Sequence, residues 1–486
     1  MYNARGVWKT NQKKTLAVDM ERLFSEYSEN VKAFARELRT EENFDVIKRT
    51  LRAGEDEVTL FYIDGFVKDM QLEKLMQYFV GLTEIGGAGE LMKKLPQVEA
   101  EVQRDPKALL LGVLSGQTLM LSSRFFENAI LLDLRTYPVR SVGEPDSDRV
   151  MQGARDGFVE TLVVNTALIR RRVRDPRLVM SHYNLGGSSG TDVVVCYLEG
   201  VADKRMLDTV KKKIESLSPR SLTLGFQSLA ECLIPRGWLN PFPKIRTTER
   251  PDTASAQVLE GSILVICDTS PQVMILPTSI FDYLQQTDDY YFPPLTGTYM
   301  RFVRTVILLF SVVCTPLWVL ALEYEGILPE ALSFVIPDEP GALPIIWQLF
   351  LAEFAIDGLK IASLNTPSTL SNSLSVVGAL ILGDFAVGVG WLCEDVILYM
   401  AFVAIANFAQ QNHELGYAFK FMRMMILALT AVFKIWGFVV GVLLFFFFVA
   451  TNRTIGGKHH YLYPLIPWNF RAMKRLIMRT PKTPND

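Results

Sequence analysis

The stretch Val303–Leu322, VRTVILLFSVVCTPLWVLAL, decides the fold, because its 20 residues carry one charge, Arg304, near the first residue. A helix needs about 20 predominantly apolar residues to cross roughly 30 Å of hydrocarbon. Further apolar runs follow it at Ser373–Trp391, Val396–Phe408 and Met424–Ala450. The sequence therefore predicts a C-terminal multi-span α-helical membrane domain over residues 303–450.

The bulk composition agrees with a membrane protein and excludes several other classes. Hydrophobic residues make up 49% of the 486 residues, and the mean hydropathy of +0.19 is high for a wholly soluble chain. A net charge of −2 creates no field that would attract nucleic acid, so we expect no nucleic-acid partner. The five cysteines form no C-x-x-C pair, and the four histidines show no metal-ligand spacing. We therefore expect no metal, no cofactor and no enzymatic activity.

The residues before the first apolar run are typical of a soluble α/β region with two small subdomains. Residues 1–43 read as a polar arm without a signal-peptide core, so we expect the first apolar helix to direct membrane insertion. Residues 44–144 form the first predicted subdomain, and residues 145–292 form the second. The predicted strands are Val58–Phe66, two within Ala108–Ser122, Thr191–Leu198, and a hairpin of Ser262–Asp268 with Val273–Pro277.

The residues that flank the membrane domain predict its orientation. Pro293, Pro294 and Gly297 predict a hinge over residues 293–302, which has Arg301 near its end and Arg304 just after it. The loop after the first span is acidic, whereas residues 451–486 form a basic tail. Positively charged residues favour the cytoplasmic face, so the soluble region and the tail are both predicted to be cytoplasmic. Two ends on one side require an even number of crossings.

The segment Pro344–Leu364 is apolar but contains Glu353, Asp357 and Lys360. With 3.6 residues per turn, these three side chains fall within about 60° of one another on a helix. Each central charge costs roughly 2.5–3.5 kcal/mol on insertion scales, so the stripe must face protein or water. We favour four full spans plus a re-entrant or tilted polar helix, with five spans as the alternative.

Three more polar residues fall at predicted membrane depth. Asn365 begins the helix break Asn365–Ser368, and Asp384 lies in the next apolar run. Lys434 lies within Met424–Ala450, whose length of roughly 40 Å as one helix requires a tilt or a bend. These groups either line an ion path or hold helices together.

The basic run Arg170, Arg171, Arg172 lies at the end of a predicted helix. Cations there complement the helix dipole, and a solvated or salt-bridged face is one reading. Docking to an acidic partner or to lipid headgroups is the other.

Five blocks of the sequence carry recognisable motifs: Asp156–Leu178 (DGFVETLVVNTALIRRRVRDPRL), Thr191–Gly200 (TDVVVCYLEG), Asn240–Asp252 (NPFPKIRTTERPD), Leu259–Pro277 (LEGSILVICDTSPQVMILP) and Asp288–Tyr291 (DDYY). Together these blocks resemble the A subunits of GerA-type spore germination receptors. The residues of the soluble region that carry the resemblance include Arg170, Arg171, Arg172, Thr248, Glu249, Arg250, Pro251, Asp252, Asp268 and Pro271.

The resemblance implies a germination protein of the spore inner membrane. It further implies a homo-oligomer that conducts monovalent cations and works with other germination membrane proteins and with membrane lipid. The step Asp288–Tyr291 and the pattern around Glu353 depart from the usual receptor sequences, which favours an accessory member. A direct nutrient receptor, a secondary transporter of a small nutrient and a non-conducting scaffold remain as alternatives.

Overall fold

The computed structural model describes residues 22–95, 99–135, 148, 150–234, 239–365, 378, 386–410, 412–455 and 461–479. The chain divides into two compact units. The first contains residues 1–236, 245–278 and 454–457, and the second contains residues 237–244, 279–453 and 458–486. The predicted boundary between the subdomains, at residues 140–149, lies almost entirely outside the described residues.

The first unit is built on two five-stranded sheets in which every described pairing is antiparallel. The strands are β1 Val46–Ala53, β2 Asp56–Ile63, β3 Ala100–Gln103, β4 Thr118–Ser122, β5 Ala129–Leu132, β6 Leu178–Leu185, β7 Thr191–Leu198, β8 Arg246–Thr248, β9 Ile263–Cys267 and β10 Val273–Leu276. Within the two sheets they follow the orders β1-β2-β4-β5-β3 and β6-β7-β9-β10-β8.

Helices cover both sheets and complete the α/β fold that the sequence predicts. They are Tyr27–Glu37, Asp69–Val80, Ala88–Lys94, Pro106–Leu114, Leu162–Arg172, Lys204–Glu215, Phe226–Leu233 and Pro251–Leu259. The first of them belongs to the core, because its residues Val31, Ala33 and Phe34 are buried. The prediction that residues 22–43 form part of a polar arm was therefore wrong.

The strand β7 shows why an unbroken apolar run could be recognised as a strand. Val193 and Val195 pack into one hydrophobic core, whereas Val194 and Cys196 pack into another on the opposite face. A strand with both faces covered needs an apolar residue at every position. The predicted hairpin of β9 and β10 is also present, with Val273 opposite Ile266.

The run Ala108–Ser122 does not form two strands. Residues Pro106–Leu114 form a helix, and only Thr118–Ser122 is a strand. Asp105 caps this helix by accepting a hydrogen bond from Lys107 N at 3.0 Å, and Pro106 occupies the first turn. A short apolar run alone does not distinguish a buried helix from a buried strand, but this cap does.

The second unit contains the apolar helices. They are Pro294–Glu323, Ile345–Asn365, Glu394–Phe408 and His413–Thr451, with shorter helical segments at Ile280–Leu284, Asp288–Tyr291, Glu325–Ile327, Glu330–Val335, Ala386–Gly388 and Phe470–Ile477. Among the described residues, Pro294–Glu323 and His413–Thr451 are long and apolar enough to cross a membrane. The expected span over Ser373–Trp391 falls mainly outside the described residues.

The predicted hinge over residues 293–302 is instead the beginning of the first apolar helix. Pro294 is the first helical residue, and the helix continues through Gly297 and Arg301. Proline fits the first turn of a helix, because the amide hydrogen that it lacks has no helical partner there.

The segment His413–Thr451 is a hairpin of two helices. Lys434 has φ 54° and ψ −130°, which interrupts the helix. The rings of Phe419 and Phe445 lie 5.6 Å apart, whereas a straight helix would separate them by roughly 39 Å. The chain therefore reverses at Lys434 into a first arm, residues 413–433, and a second arm, residues 435–451.

The hairpin corrects the prediction of a single span over Met424–Ala450 that tilts or bends, because the chain reverses completely at Lys434. The first arm is roughly 31 Å long and the second roughly 26 Å, close to the thickness of the hydrocarbon layer. The arms approach closely at glycine: a Cβ at Gly437 would lie 1.9 Å from Leu429 O, and one at Gly441 would lie 3.0 Å from Ile426 Cα.

Candidate functional site

A cluster of four charged side chains joins the polar helix Ile345–Asn365 to the first arm of the hairpin. Arg423 donates from Nε to Glu353 Oε1 at 2.8 Å, and Lys420 Nζ lies 3.1 Å from Glu353 Oε2. Lys420 also lies 2.5 Å from Asp357 Oδ2. We call these four residues the charged seam; its two acids and two bases sum to zero.

The register of the seam shows that the two helices run antiparallel. Residue 353 faces residues 420 and 423, residue 357 faces residue 420, and Lys360 lies 4.7 Å from the ring centre of Tyr417. The residue numbers of the paired positions therefore rise along one helix as they fall along the other. The predicted stripe of Glu353, Asp357 and Lys360 is therefore a helix–helix contact within one chain.

Burial separates the members of the seam. The side chains of Glu353 and Arg423 are 4% and 0% exposed, whereas that of Asp357 is 30% exposed. A buried charge is tolerated only when it is paired and hydrogen-bonded. Both carboxylate oxygens of Glu353 are engaged by cations, so Glu353 braces the helices, whereas Asp357 is the partly exposed acid of the seam.

The partners Lys420 and Arg423 are the functional candidates that the sequence reasoning missed. They lie just before the apolar run that begins at Met424, and charged residues in that position are expected to flank a membrane span rather than to lie inside it. The sequence did contain a signal. Lys420 and Arg423 are three residues apart and so share one helix face, which can pair with the acids Glu353 and Asp357, four residues apart on another helix.

The other predicted membrane residues are not brought into the seam. Asn365 is the last residue of the polar helix and is exposed, and Asp384 lies outside the described residues. Lys434 lies at the tip of the hairpin, where it pairs with Glu323 at the end of the first apolar helix. Both of these side chains are about half exposed, so Lys434 belongs to a helix end rather than to a membrane interior.

A second buried charge cluster lies where the first apolar helix begins. Asp289 is fully buried and accepts hydrogen bonds from Arg301 Nε at 3.2 Å and from Arg304 Nη2 at 3.1 Å. The arginines that predicted the orientation are thus also structural. A Cβ at Gly297 would lie 2.1 Å from Asp289 O, so only glycine permits this approach.

In the first unit, the basic run is salt-bridged. Arg170 is fully buried and donates to both oxygens of Asp45 at 2.5 and 2.9 Å, and Arg172 pairs with Asp156. Arg171 is exposed. Arg170, with no exposed surface, does not reach lipid headgroups, which leaves the salt-bridged reading for it and for Arg172.

The segment Thr248–Asp252 connects a loop to the second sheet. Arg250 is fully buried, donates to Asp252, and also donates to Asp148 O and Ala154 O. Thr248 Oγ1 donates to Asp148 Oδ2 at 2.8 Å.

The remaining residues that carry the resemblance have local roles. Glu249 accepts from Gln272, Pro251 begins the helix Pro251–Leu259, and Asp268 accepts from Leu162 N. Pro271 lies between β9 and β10. These contacts organise the fold.

Asp148 provides a test of this loop. Burial raises the pKa of its carboxyl group, although Thr248 and Arg250 oppose the rise. Because the pKa of this carboxyl group is higher in the folded state than in the unfolded state, its protonated form favours folding. This contribution to stability is lost as pH rises through the folded-state pKa. We expect Asp148→Asn to leave the thermal midpoint of the full chain unchanged or higher at pH 7, with the gain shrinking as pH falls. A midpoint that drops at pH 7 and recovers in acid would contradict this.

The sequence profile of the family "Bacillus/Clostridium GerA spore germination protein" matches residues 33–485. This chain belongs to the GerA family. Stage V sporulation protein AF of Bacillus subtilis is 34% identical over 467 residues, which cover 95% of this chain and 94% of that protein. Spore germination protein KA of the same organism is 27% identical, with 90% and 81% covered.

A solved structure also aligns with part of this GerA-family chain. It is the N-terminal domain of the A subunit of the Bacillus megaterium spore germinant receptor GerK3, with 21% identity and a TM-score of 0.41. The alignment covers 52% of this chain and 96% of that domain. Membership of the GerA family, together with the two long apolar helices, indicates a spore membrane protein.

Proposed function

We propose that this chain is a subunit of an oligomeric membrane assembly that releases monovalent cations during spore germination. The observation that carries the proposal is the charged seam, because it holds acids and bases among apolar helices. Ionisable groups inside membrane segments are costly, and they are by default a sign of an ion or proton pathway. Asp357, partly exposed at the edge of the seam, is the acid that a water-filled path between copies would hydrate.

The accessory role is part of the same proposal. The identity with stage V sporulation protein AF is 34%, against 27% with spore germination protein KA. The departures of Asp288–Tyr291 and of the pattern around Glu353 from the usual receptor sequences favour an accessory subunit over a direct nutrient receptor. The soluble unit would then lie on the cytoplasmic side and respond to other germination membrane proteins.

The decisive experiment reconstitutes the purified full chain in a planar bilayer and counts its subunits in parallel. We expect cation-selective current from an oligomer. An intact oligomer that passes no current would identify a scaffold instead. Saturable uptake of a small solute into liposomes, without current, would identify a transporter.

The variant Asp357→Asn tests the path itself. Acidic rings favour cations in channels, so losing this charge is expected to lower cation conductance several-fold while the subunit count stays the same. Asp338→Asn is the matched control, because Asp338 is an exposed acid in the loop after the first apolar helix. Equal currents for both variants would remove Asp357 from the path.

A further inference from the structure

The segment between residues 461 and 479 is held against the beginning of the first apolar helix at several points. Arg301 Nη1 donates to Arg475 O at 3.2 Å and to Leu476 O at 2.6 Å. Arg479 N donates to Thr298 Oγ1 at 3.1 Å. Because Arg301 and Thr298 belong to the first turns of a helix long enough to cross a membrane, these contacts place the segment where that helix leaves the hydrocarbon.

The held segment exposes large apolar side chains although it lies next to charged residues. Phe470 and Ile477 share one side of the helix Phe470–Ile477 and are 69% and 54% exposed. The preceding turn exposes Trp468 at 63%. The further exposed apolar residues are Leu465, Ile466 and Met478. We call this set the tail surface.

Basic residues accompany the tail surface. Lys474 and Arg475 are exposed on the same helix: Lys474 lies one turn from Phe470 on the same side, and Arg475 lies about 140° round the helix from Phe470. The segment 461–479 contains Arg471, Lys474, Arg475 and Arg479 and no acidic residue. Exposed bulky apolar residues flanked by cations, whose long side chains reach the headgroups, are typical of helices that lie in the membrane interface.

We infer that the tail surface lies in the bilayer interface and binds anionic lipid headgroups. Trp468, Phe470 and Ile477 enter the boundary between headgroups and acyl chains, and Lys474 and Arg475 contact phosphates. Two features favour a lipid occupant over a protein: the surface continues from the beginning of a membrane-spanning helix, and its charge is complementary to anionic lipid. This inference does not depend on ion conduction.

The test uses the full chain with Cys232→Ser and Met478→Cys, so that a fluorescent label reacts at position 478. The four other cysteines are buried. The labelled protein is placed in nanodiscs of phosphatidylcholine, or of phosphatidylcholine and phosphatidylglycerol in equal parts, that carry quenching lipids spin-labelled near the headgroup. We expect strong quenching in the mixed bilayer and weaker quenching in phosphatidylcholine alone.

Charge removal separates headgroup binding from simple insertion. Each cation near an anionic surface contributes about 1 kcal/mol, so Lys474→Gln with Arg475→Gln should lower the ratio of docked to undocked segment about 30-fold. The matched control is Lys204→Gln with Arg205→Gln, an exposed pair on a helix of the first unit, which should leave quenching unchanged.

Three results would overturn the inference. Equal quenching in both bilayers and in both charge variants would show insertion without headgroup recognition. An unquenched label in every nanodisc would place the surface away from lipid. A disulfide bond that joins two copies of the unlabelled Met478→Cys variant through position 478 would assign the surface to an interface between subunits.

Discussion

Arg423→Met is expected to lower the free energy of unfolding of the full chain by about 3–5 kcal/mol, because it removes the buried cation that pairs with Glu353 and leaves Lys420 alone to balance two acids. Arg423 is fully buried and donates two hydrogen bonds to one oxygen of Glu353. Without it, the seam keeps two acids and one base. Lys420 would then neutralise two carboxylates instead of sharing that role.

A denaturant titration in detergent micelles, followed by tryptophan fluorescence, measures this loss. The double variant Glu353→Gln with Arg423→Met should recover most of it, since the remaining pair of Lys420 and Asp357 is neutral. Lys434→Met is the control on the same hairpin, where the exposed pair with Glu323 should contribute little. If Arg423→Met unfolds at the parent's denaturant concentration, the seam is not a stabilising contact.

Gly437→Ala is expected to prevent the two arms of the hairpin from packing. The added Cβ would lie 1.9 Å from Leu429 O and 2.9 Å from Thr430 N, which are backbone atoms that cannot rotate away. Overpacking a side chain costs about 1–3 kcal/mol, and a collision with backbone exceeds that range. We expect the variant to be recovered mainly as aggregate in size-exclusion chromatography.

The same helix supplies a matched control for Gly437→Ala. Gly416 lies in the first arm, and a Cβ there meets no atom within 4 Å. Gly416→Ala should therefore leave the protein monodisperse and raise helix stability by up to about 1 kcal/mol. Similar elution of the two alanine variants would show that the arms can separate without loss of the fold.

The sequence predicted those elements whose apolar residues show a regular pattern or an unbroken run. Val303–Leu322 lies within the helix Pro294–Glu323, and Thr191–Leu198 is the strand β7. Both elements could be predicted because the burial of each is visible in its own run of apolar residues. The helix Pro106–Leu114 was missed because its apolar run was considered without the cap at Asp105.

The charged seam was only half predictable. The stripe of Glu353, Asp357 and Lys360 follows from helical spacing, whereas its partners depend on which helix packs against it. Lys420 and Arg423 come about 65 residues later, and nothing local pairs them with the polar helix. Their role becomes visible only once the antiparallel register is known.

The hairpin was missed for a different reason. No proline or glycine pair interrupts the sequence around Lys434, so the apolar run reads as continuous. What permits the reversal is the close approach of the arms at Gly437 and Gly441. A single glycine inside a helical pattern does not by itself predict that another helix packs closely against it.

The reversal at Lys434 also bears on biosynthesis. A ribosome delivers His413 to the insertion machinery well before Thr451, yet the folded arms return the chain to the side from which it departed. Asn412 and Asn452, which flank the hairpin, lie at the same end of it. A hairpin of this geometry adds no net crossing to the count that determines on which side of a membrane a later segment lies.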